Sequence, residues 1–147
     1  MACGDSVLIL VATIQQGIYF AGRLGLGAEL VHSKLGKRRR GELIGIFRSG
    51  ELPCLIATSL ADEGLDVPRA NVLFLTGAGR SSRAAEQRTG RVLRAFQGKG
   101  AATVYDMLDS WHPWLLGQAK ARMKVYQRLG YEVRTVGSKG GRVNCEG

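Results

Sequence analysis

The chain has 147 residues, 45% of them hydrophobic and 22% charged, with a mean hydropathy of −0.03; that is the length of one ordinary domain and neither a disordered nor a membrane composition. No apolar run reaches the roughly 18 residues of a spanning helix. Lys and Arg number 21 against 12 Asp and Glu, a formal charge of +9 carried by 15 Arg and 6 Lys, and because the planar arginine fork grips phosphate with two hydrogen bonds, a phosphate-bearing partner is favoured over a merely solvated basic surface.

The first apolar run, Val7–Ala12, reads as a strand, and its unbroken Val7-Leu8-Ile9-Leu10-Val11 predicts burial on both faces. No basic leader precedes it, so a secretory signal is not expected and an intracellular place, cytoplasmic or in the nucleoid or nucleus, is. A helix is predicted over Ile14–Leu24, a strand over Glu29–His32 and a helix over Lys37–Arg48. His32, closing its strand before Ser33 and Lys34, reads on its own as a structural histidine.

A strand over Pro53–Ala57 leads into Thr58-Ser-Leu-Ala-Asp-Glu-Gly-Leu-Asp-Val-Pro68. On spacing alone this loop is equally well explained as a capped turn closed by Gly64. A strand over Asn71–Thr76 is followed by Gly77-Ala-Gly-Arg80, which lacks the Gly-Lys-Ser/Thr of a phosphate loop; the whole chain holds no G-x-x-x-x-G-K-[ST]. In the helix predicted over Ser82–Phe96, Gln87, Arg91 and Arg94 fall within roughly 60° of one another, opposite the apolar stripe Ala85, Thr89, Val92, Leu93 and Phe96. Glu86 is the lone acid among Arg80, Arg83, Arg88, Arg91 and Arg94. A cluster so short of partners calls for an external anion.

The chain continues with a strand over Ala101–Tyr105, a helix over Pro113–Leu129 and a strand over Tyr131–Val136. In the helix, Leu116, Ala119, Met123 and Tyr126 form the expected core stripe, and Lys120, Lys124 and Arg128 an outer ridge that is either solvated or laid along a phosphate backbone. Trp111 and Trp114 read as packing aromatics. Residues 1–136 are expected to form one α/β domain, a mainly parallel sheet with helices on both faces, followed by a flexible, glycine-rich tail over 137–147. Cys3, Cys54 and Cys145 have no disulfide or zinc spacing, so no metal is expected.

Taken in order, these segments resemble the second RecA-like domain of superfamily 2 helicases, in particular the group that includes XPB and the phage UvsW-type enzymes. Val7–Thr13 resembles motif IV, although Ala12 stands where a polar residue is usual. Val31-His-Ser-Lys-Leu35, Arg39 with Arg40, and Ile46-Phe-Arg-Ser-Gly-Glu51 resemble the stretch that follows it. Ala57–Pro68 resembles motif V, Gln87-Arg-Thr-Gly-Arg-Val-Leu-Arg94 resembles motif VI, and Pro113–Val136, with Arg122 and Tyr126, looks like the closing helix and strand.

The resemblance implies a three-layer RecA-like fold and a role as half of an ATP-dependent helicase or translocase. It implies that Arg91 and Arg94 are arginine fingers reaching the γ-phosphate of ATP, that Gly64, Asp66 and Gln87 line the nucleotide cleft, and that Thr13, Ser33, Lys34 and Thr58 meet a DNA or RNA backbone. ATP and its Mg²⁺ would be held mainly by an N-terminal RecA-like domain, in the same or a separate protein, so this chain alone is expected to turn over no ATP. The alternative is a stand-alone RecA-like module that binds nucleic acid or regulates a partner without ATPase activity.

Overall fold

A computed structural model describes residues 5–58, 70–76, 103–107, 112–136 and 142–146, with side chains through residue 135. In chain order it contains β1 (Val7–Val11), α1 (Ile14–Leu24), a 3₁₀ turn (Gly25–Gly27), β2 (Ala28–Val31), α2 (Lys37–Ser49), β3 (Cys54–Thr58), β4 (Val72–Leu75) and β5 (Thr103–Met107). Helix α3 (Pro113–Arg128), β6 (Glu132–Val136) and β7 (Arg142–Glu146) complete it. Each of these elements except the 3₁₀ turn and β7 is among those expected from the sequence, with ends moved by at most two residues. The helix predicted over Ser82–Phe96 lies outside the described residues.

The strands form one sheet in the order β2-β3-β1-β4-β5-β7-β6. β1 to β5 pair in parallel, and β7 is antiparallel to both of its neighbours. The tail expected to fray is therefore partly ordered as a strand: residues 142–146 lie between β5 and β6, so their backbone groups find partners on both sides rather than water.

Side chains alternate across the sheet into two cores. Leu8, Leu55, Leu73 and Val104 face one side, packed with Leu43 and Phe47 of α2 and Tyr126 of α3. Ile9, Val11 and Ile56 face the other, packed with Phe20 and Ala21 of α1. Helices thus cover both faces, which is why the β1 run needs no polar alternation. On the α1 side, Phe74 and Tyr105 are register partners and stack with ring centroids 4.6 Å apart. Two glycines set local geometry. A Cβ on Gly17 would lie 2.5 Å from Leu30 Cδ1, so the glycine lets α1 settle close to β2, and Gly50 ends α2 in the left-handed conformation at φ 87°.

The inner face of α3 differs from the expected stripe. Its buried residues are Gln118, Ala119, Arg122, Val125 and Tyr126, whereas Leu116 and Met123 are half-buried, so the helix is turned by roughly 80° from the purely apolar reading. The cause is Asp106 at the end of β5. Arg122 Nε and Nη2 donate to its two carboxylate oxygens at 2.6 and 2.9 Å, and Tyr126 Oη donates to the same group. Burial alone would lower the Arg122 pKa, but its hydrogen bonds to Asp106 and that carboxylate's charge more than offset this and hold it above the usual value. With that carboxylate buried at the end of β5, α3 turns Arg122 and Tyr126 toward it and leaves Leu116 and Met123 half-buried.

Cys54, half-buried at the start of β3, has its thiol pushed up by burial to about 11. At pH 8 only about one molecule in a thousand carries the reactive thiolate. Alkylation of Cys54 by iodoacetamide, followed by peptide mass spectrometry, is expected to be far slower than that of a free thiol, and to accelerate on denaturation.

Candidate nucleic-acid interface at the strand ends

In a parallel sheet the carboxyl ends of all strands lie along one edge, where ligands collect. Here Val11 pairs with Thr58, Leu10 with Leu75, and Leu75 with Asp106, so β1, β3, β4 and β5 end level; β2 joins them through Val31 beside Ala57. Four of the residues predicted from the sequence to contact nucleic acid sit on this edge: Thr13 after β1, Ser33 and Lys34 after β2, and Thr58 at the end of β3.

Thr13 is the N-cap of α1, its Oγ1 accepting from Gln16 N at 3.1 Å. The hydroxyl remains exposed and keeps its proton to donate outward, beside the positive end of the helix dipole. Ser33 and Lys34 form the tip of a tight turn. Leu35 N donates to His32 O at 3.1 Å, and Lys34 N donates to His32 Nδ1 at 3.2 Å. His32 therefore acts structurally, as its sequence setting predicts, and holds both neighbours outward; both are exposed.

Thr58 departs from expectation. It belongs to β3 rather than to the following loop, is 4% exposed, and its Oγ1 has no hydrogen-bond partner among the described residues. A buried hydroxyl left unpaired costs about 1–3 kcal/mol. Thr58→Val, which keeps the shape and removes that group, is expected to leave urea stability unchanged or slightly raised while weakening nucleic-acid binding several-fold; equal binding would remove Thr58 from the interface.

Next to this edge, the first turn of α2 carries Lys37, Arg38 and Arg39, all exposed. Cations at a helix N-terminus oppose the dipole. Glu42 shares itself between Arg38, at 3.2 Å, and Arg39, at 3.5 Å, so one acid meets a run of four bases, Arg40 included. Arg40 is half-buried, and its buried Nε has no hydrogen-bond partner among the described residues.

The nucleotide-side residues Gly64, Asp66, Gln87, Arg91 and Arg94 lie outside the described residues. Two features escaped the sequence reading. Gln16 ties the turn after β1 to the end of β4, and the Thr13-x-x-Gln16 spacing of a capping box was its signal. The Asp106–Arg122–Tyr126 network was foreshadowed only by Arg and Tyr four residues apart on one helix. Among the described residues no helix is long and apolar enough to cross a membrane.

Known proteins resemble the chain in both sequence and fold. It is 31% identical over 102 residues to the ATP-dependent DNA helicase RecG of Acidithiobacillus ferridurans, covering 69% of this chain and 14% of that protein. It is 33% identical over 114 residues to the ATP-dependent rRNA helicase rrp3 of Aspergillus oryzae, covering 74% of this chain and 24% of that protein. The chain thus spans a quarter or less of either relative's length. In structure it resembles the E. coli DEAD-box protein SrmB, solved bound to regulator of ribonuclease activity A, with a TM-score of 0.60 over 80% of this chain and 69% of that one at 22% identity, a likeness of fold alone. The family model of the helicase conserved C-terminal domain matches residues 1–96, from β1 through the arginine-rich segment after β4. The chain therefore belongs to that family, the RecA-like C-terminal domain of superfamily 2 helicases.

Proposed function

We propose that the chain is the C-terminal motor domain of an ATP-dependent helicase or translocase, with the carboxyl edge of its sheet forming one wall of a nucleic-acid track. The observation that carries this reading is the convergence of Thr13, Ser33, Lys34 and Thr58 on that edge, three of them exposed and the fourth holding a hydroxyl with no partner among the described residues. Hydroxyls and a lysine contact the sugar–phosphate backbone, which carries no sequence information, so the strand bound is DNA or RNA without sequence preference.

Arg91 and Arg94 act as arginine fingers on ATP, and Gly64, Asp66 and Gln87 line the same cleft. An N-terminal RecA-like domain completes the cleft and holds most of the ATP and its Mg²⁺. The closer kinship to the XPB and UvsW-type group rests on the motif VI segment and on Arg122 and Tyr126 in the closing helix.

A salt titration by fluorescence anisotropy, with labelled single-stranded DNA and RNA of equal length, tests the track. Counterion release predicts an affinity that falls steeply between about 50 and 200 mM salt. Salt-insensitive binding, or none, would overturn the reading. The chain alone is expected to give no ATP turnover after rigorous purification, because the phosphate loop and the metal-binding acid belong to the other domain.

A further inference from the structure

The turn after β1 and the end of β4 have separate tasks in the function proposed above, on which the following rests. Ala12-Thr13 lies on the nucleic-acid edge. Thr76 opens the segment that carries Gln87, Arg91 and Arg94. Gln16 joins them: its Oε1 accepts from Ala12 N at 3.0 Å and its Nε2 donates to Thr76 O at 3.0 Å. Thr76 closes the circuit, its N and Oγ1 donating to Leu10 O at 3.1 and 2.9 Å.

Capping alone does not call for this residue. The bond that caps α1 runs from the Gln16 backbone N to Thr13 Oγ1. The side-chain acceptor for Ala12 N could equally be a glutamate, which is at home at this position of a capping box and would add a favourable dipole interaction. A side-chain amide offers an acceptor at one end and a donor at the other, which a carboxylate does not, and the donor is spent on Thr76. A glutamate would instead set an anion against the Thr76 carbonyl.

We propose that Gln16 is a positioning residue that couples the nucleic-acid-binding turn Ala12–Thr13 to Thr76 at the end of β4. Backbone displacement at Thr13 on strand binding is carried to Thr76 by the Gln16 amide.

The test is an amide NMR titration of the chain with an oligothymidylate and an oligouridylate strand, read at saturation in the wild type, Gln16→Glu and Gln16→Leu. Gln16→Glu keeps the cap and the acceptor for Ala12 N and replaces the donor to Thr76 O with an anionic oxygen. Gln16→Leu loses both side-chain bonds and adds no charge. In the wild type, the Thr13 and Thr76 resonances should move together. In both variants Thr13 should still move, while the Thr76 displacement falls at least about threefold; Gln16→Glu alone suffices if Gln16→Leu does not fold. An unchanged Thr76 displacement in the folded variants overturns the coupling, as does a Thr76 that is silent in the wild type while Thr13 responds. Should none of Thr13, Ser33 and Thr58 respond in the wild type, the nucleic-acid track itself fails and the coupling with it.

Discussion

Arg91→Ala or Arg94→Ala, made in this chain and assembled with a RecA-like domain that carries a phosphate loop, is expected to lower nucleic-acid-stimulated ATP turnover by about 10³–10⁵. The cationic fork stabilises the charge that builds on the transferring phosphoryl group, a loss that falls on the chemical step rather than on ATP affinity. ATP binding should persist, since most phosphate contacts come from the other domain. Arg91→Lys should not restore turnover, because lysine keeps the charge and loses the two-toothed geometry. Steady-state ATPase assays with a nucleotide-binding control decide the matter. Near-normal turnover in both alanine variants, with nucleic-acid affinity lost, would make this segment a backbone-binding surface and favour the binding module without ATPase activity.

Asp106→Ala should be the most damaging substitution for stability among the described residues. Asp106 and Arg122 are 4% and 5% exposed, and removing the carboxylate strands a guanidinium in the core and leaves Tyr126 Oη without that acceptor. Breaking a buried pair by deleting one partner costs about 3–5 kcal/mol. Urea unfolding of the chain should show that loss as a lower midpoint at an unchanged slope. Replacing both partners, Asp106→Leu with Arg122→Met, should recover most of it, because no unpaired charge then remains buried. A loss below about 1 kcal/mol for Asp106→Ala would mean that water reaches the guanidinium and the pair is not structural.

The mainly parallel α/β class, the two layers of helices and the boundaries of α1 were legible in the residue pattern, because unbroken Val, Ile and Leu runs and the helical period between them are local signals that require no knowledge of what packs against them. The same holds for the strand-end positions of Thr13, Ser33 and Lys34, which follow from the alternation of strand and helix. What tertiary structure alone decided depends on residues distant in sequence. Thr58 is buried because β3 runs one residue beyond its apolar run, alongside Val11. Gln16 links rather than merely caps because Thr76, 60 residues away and directly after β4, lies beside it. α3 turns its Arg122 inward because Asp106 waits at the end of β5, and a buried charge is placed by its partner and not by the hydropathy of its own helix. The glycine-rich tail reads as unstructured from composition, yet residues 142–146 enter the sheet because the slot between β5 and β6 supplies hydrogen bonds on both sides, which no local pattern announces.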